Sequence, residues 1–440
     1  MSHPELPVVV IGAGPVGLAA ASRLVERGLT PIIFEAGDDV ASSVRTWSHV
    51  RLFSPWRYDV DKAAAKLLEQ VGWTPPPPED LPTGRELVES YLRPLADSPG
   101  LAPHLHLGHR VVSVARRGVD KVRTRGREAA PFVVRTRTSA GVEGEVEARA
   151  VIDASGTWQT PNPLGASGLP ALGESRLGQR IHYGIPDVLG ADRDVYAGKA
   201  TLVVGAGHSA ANSILALAEL AASSLGPGGP ATTIIWSTRG DDLSRVFGGG
   251  AADGLPARGK LGDELRALTA RGGLSLVTGF RIERIDEVDG KLCVGGGRAD
   301  GPHSIEGVDR IIAATGQRPD ASVTRELRLA LDPALECSQA LAPLIDPNEH
   351  SCGSVPPHGA RELAHPEPDY YVIGSKSYGR APTFLLLTGY EQARSVVAMI
   401  AGDVEAAERV ELELPETGVC RADFEPQPSA CCGPKTAACC

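Results

Sequence analysis

An α/β fold of two doubly wound parallel-sheet units, the second inserted into the first, is what the sequence predicts, and three observations predict it. A short apolar strand runs into G-x-G-x-x-G at Gly12, Gly14 and Gly17. The stretch KATLVVGAGHSAANSILALAELA repeats the strand–glycine–helix order about 190 residues later. Two more apolar strands end in Ala154-Ser155-Gly156 and Ala314-Thr315-Gly316, where a chain that leaves one unit and later returns would cross. Both units read as Rossmann-like dinucleotide-binding domains, followed by a mobile, cysteine-rich tail.

The first unit occupies PVVVIGAGPVGLAAASRLVERGLTPIIFEAG. Val8 to Ile11 is an apolar run suited to a buried parallel strand. Gly12 permits the tight turn, Gly14 lets backbone approach a pyrophosphate, and Gly17 lets helix and strand pack closely. The helix runs to about Arg27 and Gly28 caps it. Its free N–H groups and dipole favour a diphosphate. A second strand, Ile32 to Phe34, ends at Glu35, placed to accept a ribose hydroxyl and to repel a 2′-phosphate.

Next, Trp47, Phe53, Trp56 and Tyr58 interleave with Arg45, Arg51 and Arg57 in a chain with only 5% aromatics. Such a loop can flank a planar ring system or hold a diphosphate. Lys62 to Gln70 reads as a helix, and the proline run to Pro78 as an extended connector. Thr83 starts a helix through Leu95, with Glu86 completing a capping box. His104, His106 and His109 lie close together without an accompanying cysteine or carboxylate, so a turn before strand Val111–Ala115 is expected rather than a metal site. The residues up to Ala150 alternate as an antiparallel meander would.

The strand at Val151 leads through Ala154-Ser155-Gly156 into the inserted unit. There strand Thr201–Val204 meets Gly205, Gly207 and Ala210, and a helix follows. Strand Thr232–Trp236 runs into Ser237-Thr238-Arg239 with no closing acid, and hydroxyls beside a guanidinium suit a 2′-phosphate. Strands follow at Leu274–Val277 and Arg281–Val288, and Ile311 to Asp320 forms the return crossing. The last strand ends at Gly374, and a helix runs from about Thr383 to Ile400. The expected boundaries are 1–168 and 326–403 for the split first domain, 169–325 for the insert and 404–440 for the tail.

A formal charge of −10 and a pI near 5.6 argue against nucleic-acid or anionic-membrane partners. The first strand begins within ten residues of the start and no long apolar run occurs, so a cytoplasmic location is expected. None of the eight cysteines precedes Cys293, and four crowd into the last ten residues. That distribution points to thiol or metal chemistry rather than structural disulfides. Cys431, Cys432, Cys439 and Cys440 supply four soft donors, enough for zinc or As(III).

Two glycine fingerprints, the ASG and ATG crossings and a final strand–helix together resemble the flavoproteins with two dinucleotide-binding domains. The resemblance implies FAD on the first unit and NADPH on the second, Gly374 facing the ribityl chain, and the helix near Thr383 aimed at the flavin N1–O2 edge. The implied cofactor set is Gly12, Gly14, Pro15, Gly17, Glu35, Ala36, Trp47, Arg51, Val111, Ala154, Gly156, Gly374, Thr383 and Phe384 on one side. On the other it is Gly205, Gly207, His208, Ser209, Ala210, Ser237 and Arg239, with Ala314, Thr315 and Gly316 at the return crossing.

The class B flavin monooxygenases carry F-x-G-x-x-x-H-x-x-x-[W/Y/F] before the second fingerprint. Gly178 and His182 match, while Arg176 and Pro186 stand where the aromatics would. The segments SYGRAPTFLLLTGYEQ and DPNEHSCGSVPPHG, with the paired tail cysteines, look like the monooxygenase-like flavoproteins of bacterial arsenic-resistance operons. Three functions remain open at this point. His182, Arg51 and Cys352 are the candidate catalytic residues, Cys352 for the reductase reading, and the first function is an NADPH- and FAD-dependent monooxygenase acting on a small molecule with O2 through a C4a-(hydro)peroxyflavin. The second is a reductase of disulfides or metalloids working through the tail cysteines, and the third a metalloid-binding redox sensor. A homodimer is one assembly open to each.

Overall fold

A computed structural model of the chain describes residues 5–223, 231–248, 250, 253–349, 355–381 and 385–412. Two five-stranded sheets, each wholly parallel, organise it. In the first, strand order is Tyr370–Val372, Ala150–Asp153, Val8–Ile11, Pro31–Phe34 and Leu105–His106. Val8 pairs with Pro31 on one side and Ala150 on the other, and Ile11 with Phe34 and Asp153. In the second the order is Ser275–Val277, Thr233–Ser237, Ala200–Val204, Arg310–Ala313 and Ile181–Tyr183. The strand expectations hold to within a residue or two, because uninterrupted apolar runs identify doubly covered parallel strands.

Each sheet is the middle of three layers. On one face of the first sheet lie helices Pro15–Glu26 and Leu386–Ile400, whose Leu18, Leu24, Val396 and Val397 join Val8, Val10 and Ile152 in one core. On the other face lies the antiparallel meander His109–Arg116, Phe132–Thr138 and Glu143–Ala148, packed through Val114, Phe132 and Val134. The second sheet repeats the plan. Helices His208–Ser223 and Pro256–Ala270 cover one face, and the meander Arg281–Val288, Lys291–Arg298 and Gly301–Val308 the other. The turn Ser322–Thr324 packs against strand His109–Arg116, so the chain is back on the first unit by then.

Two expected helices differ in detail. Thr83 and Glu86 form the capping box, with Glu86 N–H donating to Thr83 Oγ1 at 3.1 Å and Thr83 N–H to Glu86 Oε2 at 2.7 Å. The helix is nevertheless interrupted by a π-helical turn over Val88–Leu92. Pro94 has no N–H to give to Ser90, four residues back, and the Trp73 indole donates to the Ser90 carbonyl instead, at 2.8 Å. The closing helix starts at Leu386 with Leu385 as its N-cap, past Thr383 and Phe384, which lie outside the described residues.

Two buried ionic clusters fix long-range geometry. Glu367 accepts from Arg116 at 2.8 Å and Arg127 at 2.6 Å, tying the first meander to the chain entering the last strand. Asp153 accepts from Lys376 Nζ at 2.7 Å and from Ser155 Oγ at 2.6 Å. Burial alone would raise the Asp153 pKa, but Lys376 and Ser155 outweigh it and hold the carboxyl below its ordinary range. Pairs of this kind specify arrangement more than they add stability. Among the described residues no helix is long and apolar enough to cross a membrane.

Candidate functional site

The glycines of the first fingerprint divide into two kinds. A Cβ on Gly12, whose φ is +99°, would meet the Ala154 carbonyl oxygen at 2.8 Å, and one on Gly17 would meet the Gly12 carbonyl oxygen at 2.0 Å. Both are needed for the chain to close on itself. Gly14, the extended N-cap residue before Pro15, meets nothing within 4 Å. Internal packing therefore does not explain Gly14, and a concavity beside free helix N–H groups does.

Glu35 is 7% exposed at the end of the second strand. Its carboxylate accepts from Ala13 N–H and Gly37 N–H, both at 2.9 Å, and from Ser42 Oγ at 2.8 Å. It thus braces the fingerprint loop from the position expected for ribose recognition. Ala36 is exposed just beyond it, and the Val111 side chain is buried with Phe34 in the core. The rings of His106 and His109 lie 5.4 and 6.2 Å from Phe34. Gly374, with φ +74°, presses against Val16, where a Cβ would come within 3.4 Å of that side chain. Gly156, φ +71°, faces Ser375 Oγ at 3.6 Å from its would-be Cβ. The fingerprint helix, the ASG crossing and the Gly374 turn therefore lie side by side.

The second fingerprint is built alike. A Cβ on Gly205 would strike the Ala314 carbonyl oxygen at 2.2 Å, whereas Gly207 meets nothing. His208 and Ser209 open the helix, and Ala210, in the third glycine position, is fully buried against the sheet. Ser237 is 1% exposed and its Oγ has no partner among the described residues. Arg239 is exposed, and the nearest acceptor to its guanidinium is the Ala166 carbonyl at 3.5 Å, too long for a strong bond. An orphaned hydroxyl and a loosely held guanidinium at the end of this strand fit an anionic group.

The two crossings touch. Asn162 N–H donates to the Gly316 carbonyl at 2.9 Å, Thr315 Oγ1 to the Asn162 carbonyl at 2.6 Å, and Arg318 Nε to Asn162 Oδ1 at 2.9 Å. Beyond them lies an aromatic junction at the carboxyl ends of both sheets, where ligands of open α/β folds bind. Trp47 stands 6.3 Å from Trp158, whose indole lies over Gly184. Phe53, from the loop of the first unit, sits 5.4 Å from His208 at the second fingerprint. His182 follows on the edge strand. Burial pushes its pKa down, opposed by Asp192 and reinforced by His49. His49 Nε2 is itself buried without a partner among the described residues. Burial, reinforced by Arg258, also lowers His208.

Other candidates are partnered elsewhere or lie outside the described residues. Arg51 is exposed, donates to the Leu81 carbonyl and lies 3.8 Å from Glu86. Cys352 and the tail cysteines Cys431, Cys432, Cys439 and Cys440 lie outside the described residues. Cys337 is 2% exposed, and burial pushes its thiol up to about 12. Sequence reasoning missed Trp158, Gly184, His49 and Asn162. Trp158 was within reach as one of five tryptophans, two residues after the ASG crossing.

A family model described as pyridine nucleotide-disulphide oxidoreductase matches residues 9–224, just under half of the chain. The chain is 31% identical over 220 residues to a ferredoxin–NADP reductase of Paraburkholderia phymatum, covering 49% of this chain and 48% of that protein. It thus spans about half the length of the curated relatives it matches. Its fold is similar to bacillithiol disulfide reductase from Bacillus cereus, with a TM-score of 0.63, 18% identity and coverage of 90% of this chain and 99% of that one. It is also similar to ornithine N-hydroxylase of Kutzneria sp. 744, in a structure with FAD, NADP+ and L-ornithine. There the TM-score is 0.59, identity 17% and coverage 90% and 99%.

Proposed function

We propose that this chain is an NADPH- and FAD-dependent oxidoreductase of the monooxygenase-like kind, acting on a small molecule with O2. The observation that carries the cofactor reading is the paired cradle. Gly14 and Gly207 are the fingerprint glycines that face open space, and the crossings that back Gly12 and Gly205 are joined through Asn162. In this reading Gly14, Pro15 and the first helical N–H groups hold the FAD diphosphate, and Glu35 takes the ribose. Gly207, His208 and Ser209 hold the NADPH diphosphate, with Ser237 and Arg239 on the 2′-phosphate. When bound, the flavin supplies acceptance of hydride and passage of electrons to a second substrate.

The protein's own contribution is binding, orientation and exclusion of water. Trp47, Trp158 and Phe53 wall the junction, where a low dielectric strengthens each polar contact. His182 and His208, held neutral by burial, present imidazole rather than imidazolium at neutral pH. Oxygen chemistry is the preferred reading on the Gly178–His182 match to the flavin monooxygenase pattern, and neither described cysteine stands at the junction. Cys337 is buried with its pKa near 12, and Cys293 lies on the second meander. The finer reading adds an arsenic- or thiol-linked role for the tail cysteines.

The test is stopped-flow spectroscopy of NADPH-reduced protein mixed with air-saturated buffer while NADP+ stays bound. A spectral transient distinct from reduced and oxidised flavin supports oxygen chemistry. Direct reoxidation without a transient, with a long-wavelength band lost in Cys352→Ser, supports the disulfide reductase. NADPH consumption in neither assay sinks both enzymatic readings.

A further inference from the structure

We propose that Gln392 is a positioning residue for the Gly374 turn of the flavin cradle, and that the neutral imidazole of His358 sets which way its amide faces. The inference rests on the reading that the first cradle takes FAD.

Gln392 lies on the closing helix and is fully buried. Its Oε1 accepts from Gly374 N–H at 2.8 Å. Its Nε2 donates to Ser377 Oγ and to His358 Nε2, both at 2.9 Å. Ser377 Oγ in turn donates to the Gly374 carbonyl at 2.7 Å. Both amide hydrogens and the amide oxygen are thus spent on the turn and on one imidazole. The opposite amide orientation would set NH2 against the Gly374 N–H, two donors face to face.

The imidazole has one compatible form. His358 Nδ1 lies 3.0 Å from the Pro356 carbonyl, which only accepts, so the proton is on Nδ1 and Nε2 is the acceptor that Gln392 requires. His358 is 4% exposed and its ring lies 5.5 Å from Tyr378. The charged groups facing it are Glu362, whose carboxylate holds Gly359 N–H at 2.9 Å, and Glu391, paired with Arg394 at 2.7 Å. Burial lowers the His358 pKa, against the pull of the Pro356 carbonyl, Glu362 and Glu391. A second proton on His358 would put N–H against N–H and turn the Gln392 amide away from Gly374.

The consequence falls on the cradle because Gly374 lies directly on Val16, in the first turn of the fingerprint helix. A Gly374 N–H without its acceptor is a buried orphan, and the turn shifts toward or away from that helix. Gln392 and His358 act through the turn, not on the ligand.

Apo-protein is titrated with FAD by flavin fluorescence at pH 8 and pH 5, alongside Gln392→Leu, His358→Leu, His358→Gln and the double variant, with apo-protein unfolding recorded for each. Gln392→Leu is expected to weaken FAD binding about tenfold or more, the scale of one buried hydrogen bond left unmade. His358→Leu weakens it in the same direction, and the double variant is no worse than Gln392→Leu alone. His358→Gln keeps an acceptor at the ε position and retains FAD at pH 8. It also shows a smaller pH 5 to pH 8 ratio of dissociation constants than the wild type. Wild-type affinity in Gln392→Leu overturns the positioning role, as do losses that add in the double variant. An equal pH ratio in wild type and His358→Gln removes the imidazole from the relay. Wild-type protein that takes up no FAD at pH 8 refutes the cofactor reading instead.

Discussion

Replacing Gly14 with alanine separates ligand recognition from folding, because the structure gives its Cβ no neighbour. Gly14 has φ −79° and ψ −177°, open to any residue, and its would-be Cβ meets nothing within 4 Å. Alanine is a poorer N-cap than glycine by roughly 0.5–1 kcal/mol, while a less flexible unfolded chain returns about 0.4–1 kcal/mol. The two nearly cancel, so apo stability should move by no more than about 0.5 kcal/mol. The methyl group stands where a diphosphate must approach the helix N–H groups. Losing one charge-assisted bond costs roughly 1.5–3 kcal/mol, about one to two decades of FAD affinity. Gly17→Ala is the control with the opposite signature. Its Cβ would lie 2.0 Å from the Gly12 carbonyl oxygen, and relieving that overlap costs on the order of 1–3 kcal/mol of stability. The assay pairs denaturant unfolding of apo-protein with FAD titration. Wild-type flavin affinity in Gly14→Ala, or equal destabilisation by both substitutions, would refute the cradle argument.

Three further predictions concern separate parts of the chain. Arg239→Ala should raise KM for NADPH by about one to two decades and leave NADH nearly unchanged, since one charge-assisted phosphate contact is worth roughly 1.5–3 kcal/mol; steady-state kinetics with both cofactors checks it, and equal losses make Arg239 structural. Asp59 is fully buried, accepts from Ser54 Oγ at 2.8 Å and has its pKa raised by burial to about 7. Because the folded state holds this proton more tightly, the stability it contributes is complete below about pH 4 and is lost as pH climbs toward 7. That loss is about 4 kcal/mol at most. Asp59→Asn should flatten the decline in denaturation midpoint between pH 5 and pH 8, and parallel curves would show that Asp59 does not set it. Ending the chain at Arg421 should abolish tight As(III) and zinc binding in calorimetry if the tail thiolates are the ligands, and unchanged affinity rules them out.

The local grammar of the fold was open to reading. Val8–Ile11, Gly12, Gly14 and Gly17 each state their requirement within a few residues, and the Thr83–Glu86 box lies within a single turn. Contacts between distant segments were not. Asp153 and Lys376 are separated by 223 residues, and Asn162 and Thr315 by 153. Nothing in the composition around Asn162 says which carbonyls it will meet. Gln392 stands beside Glu391, Arg394 and Ser395 on the closing helix, and nothing in that stretch singles it out or reveals Gly374 and His358 as its partners. The interruption at Val88–Leu92 was half visible, since Pro94 announces a lost bond while Trp73, which takes up the freed carbonyl, is remote. The glycine turn was legible because its backbone requirements are local, and the aromatic junction was not because it is assembled from four separate stretches.

The clasp at Asn162 also determines how the inserted unit can swing. Two independent connecting strands would let it tilt, twist and slide, each linker yielding separately. Here the outgoing and returning strands form a short ribbon, with Asn162 bonded to Gly316 and Thr315 and with Arg318 N–H donating to the Thr160 carbonyl at 2.9 Å. Such a ribbon resists shear along its length and bends most readily across it. Gly156 and Gly316, both at positive φ, stand one on each strand where that bending concentrates. For such a ribbon, rocking of the inserted unit across its width is the displacement that breaks fewest of these bonds. A displacement of that kind would separate Phe53 from His208, which belong to different units, and leave Gly205 seated against Ala314, which belong to the same one.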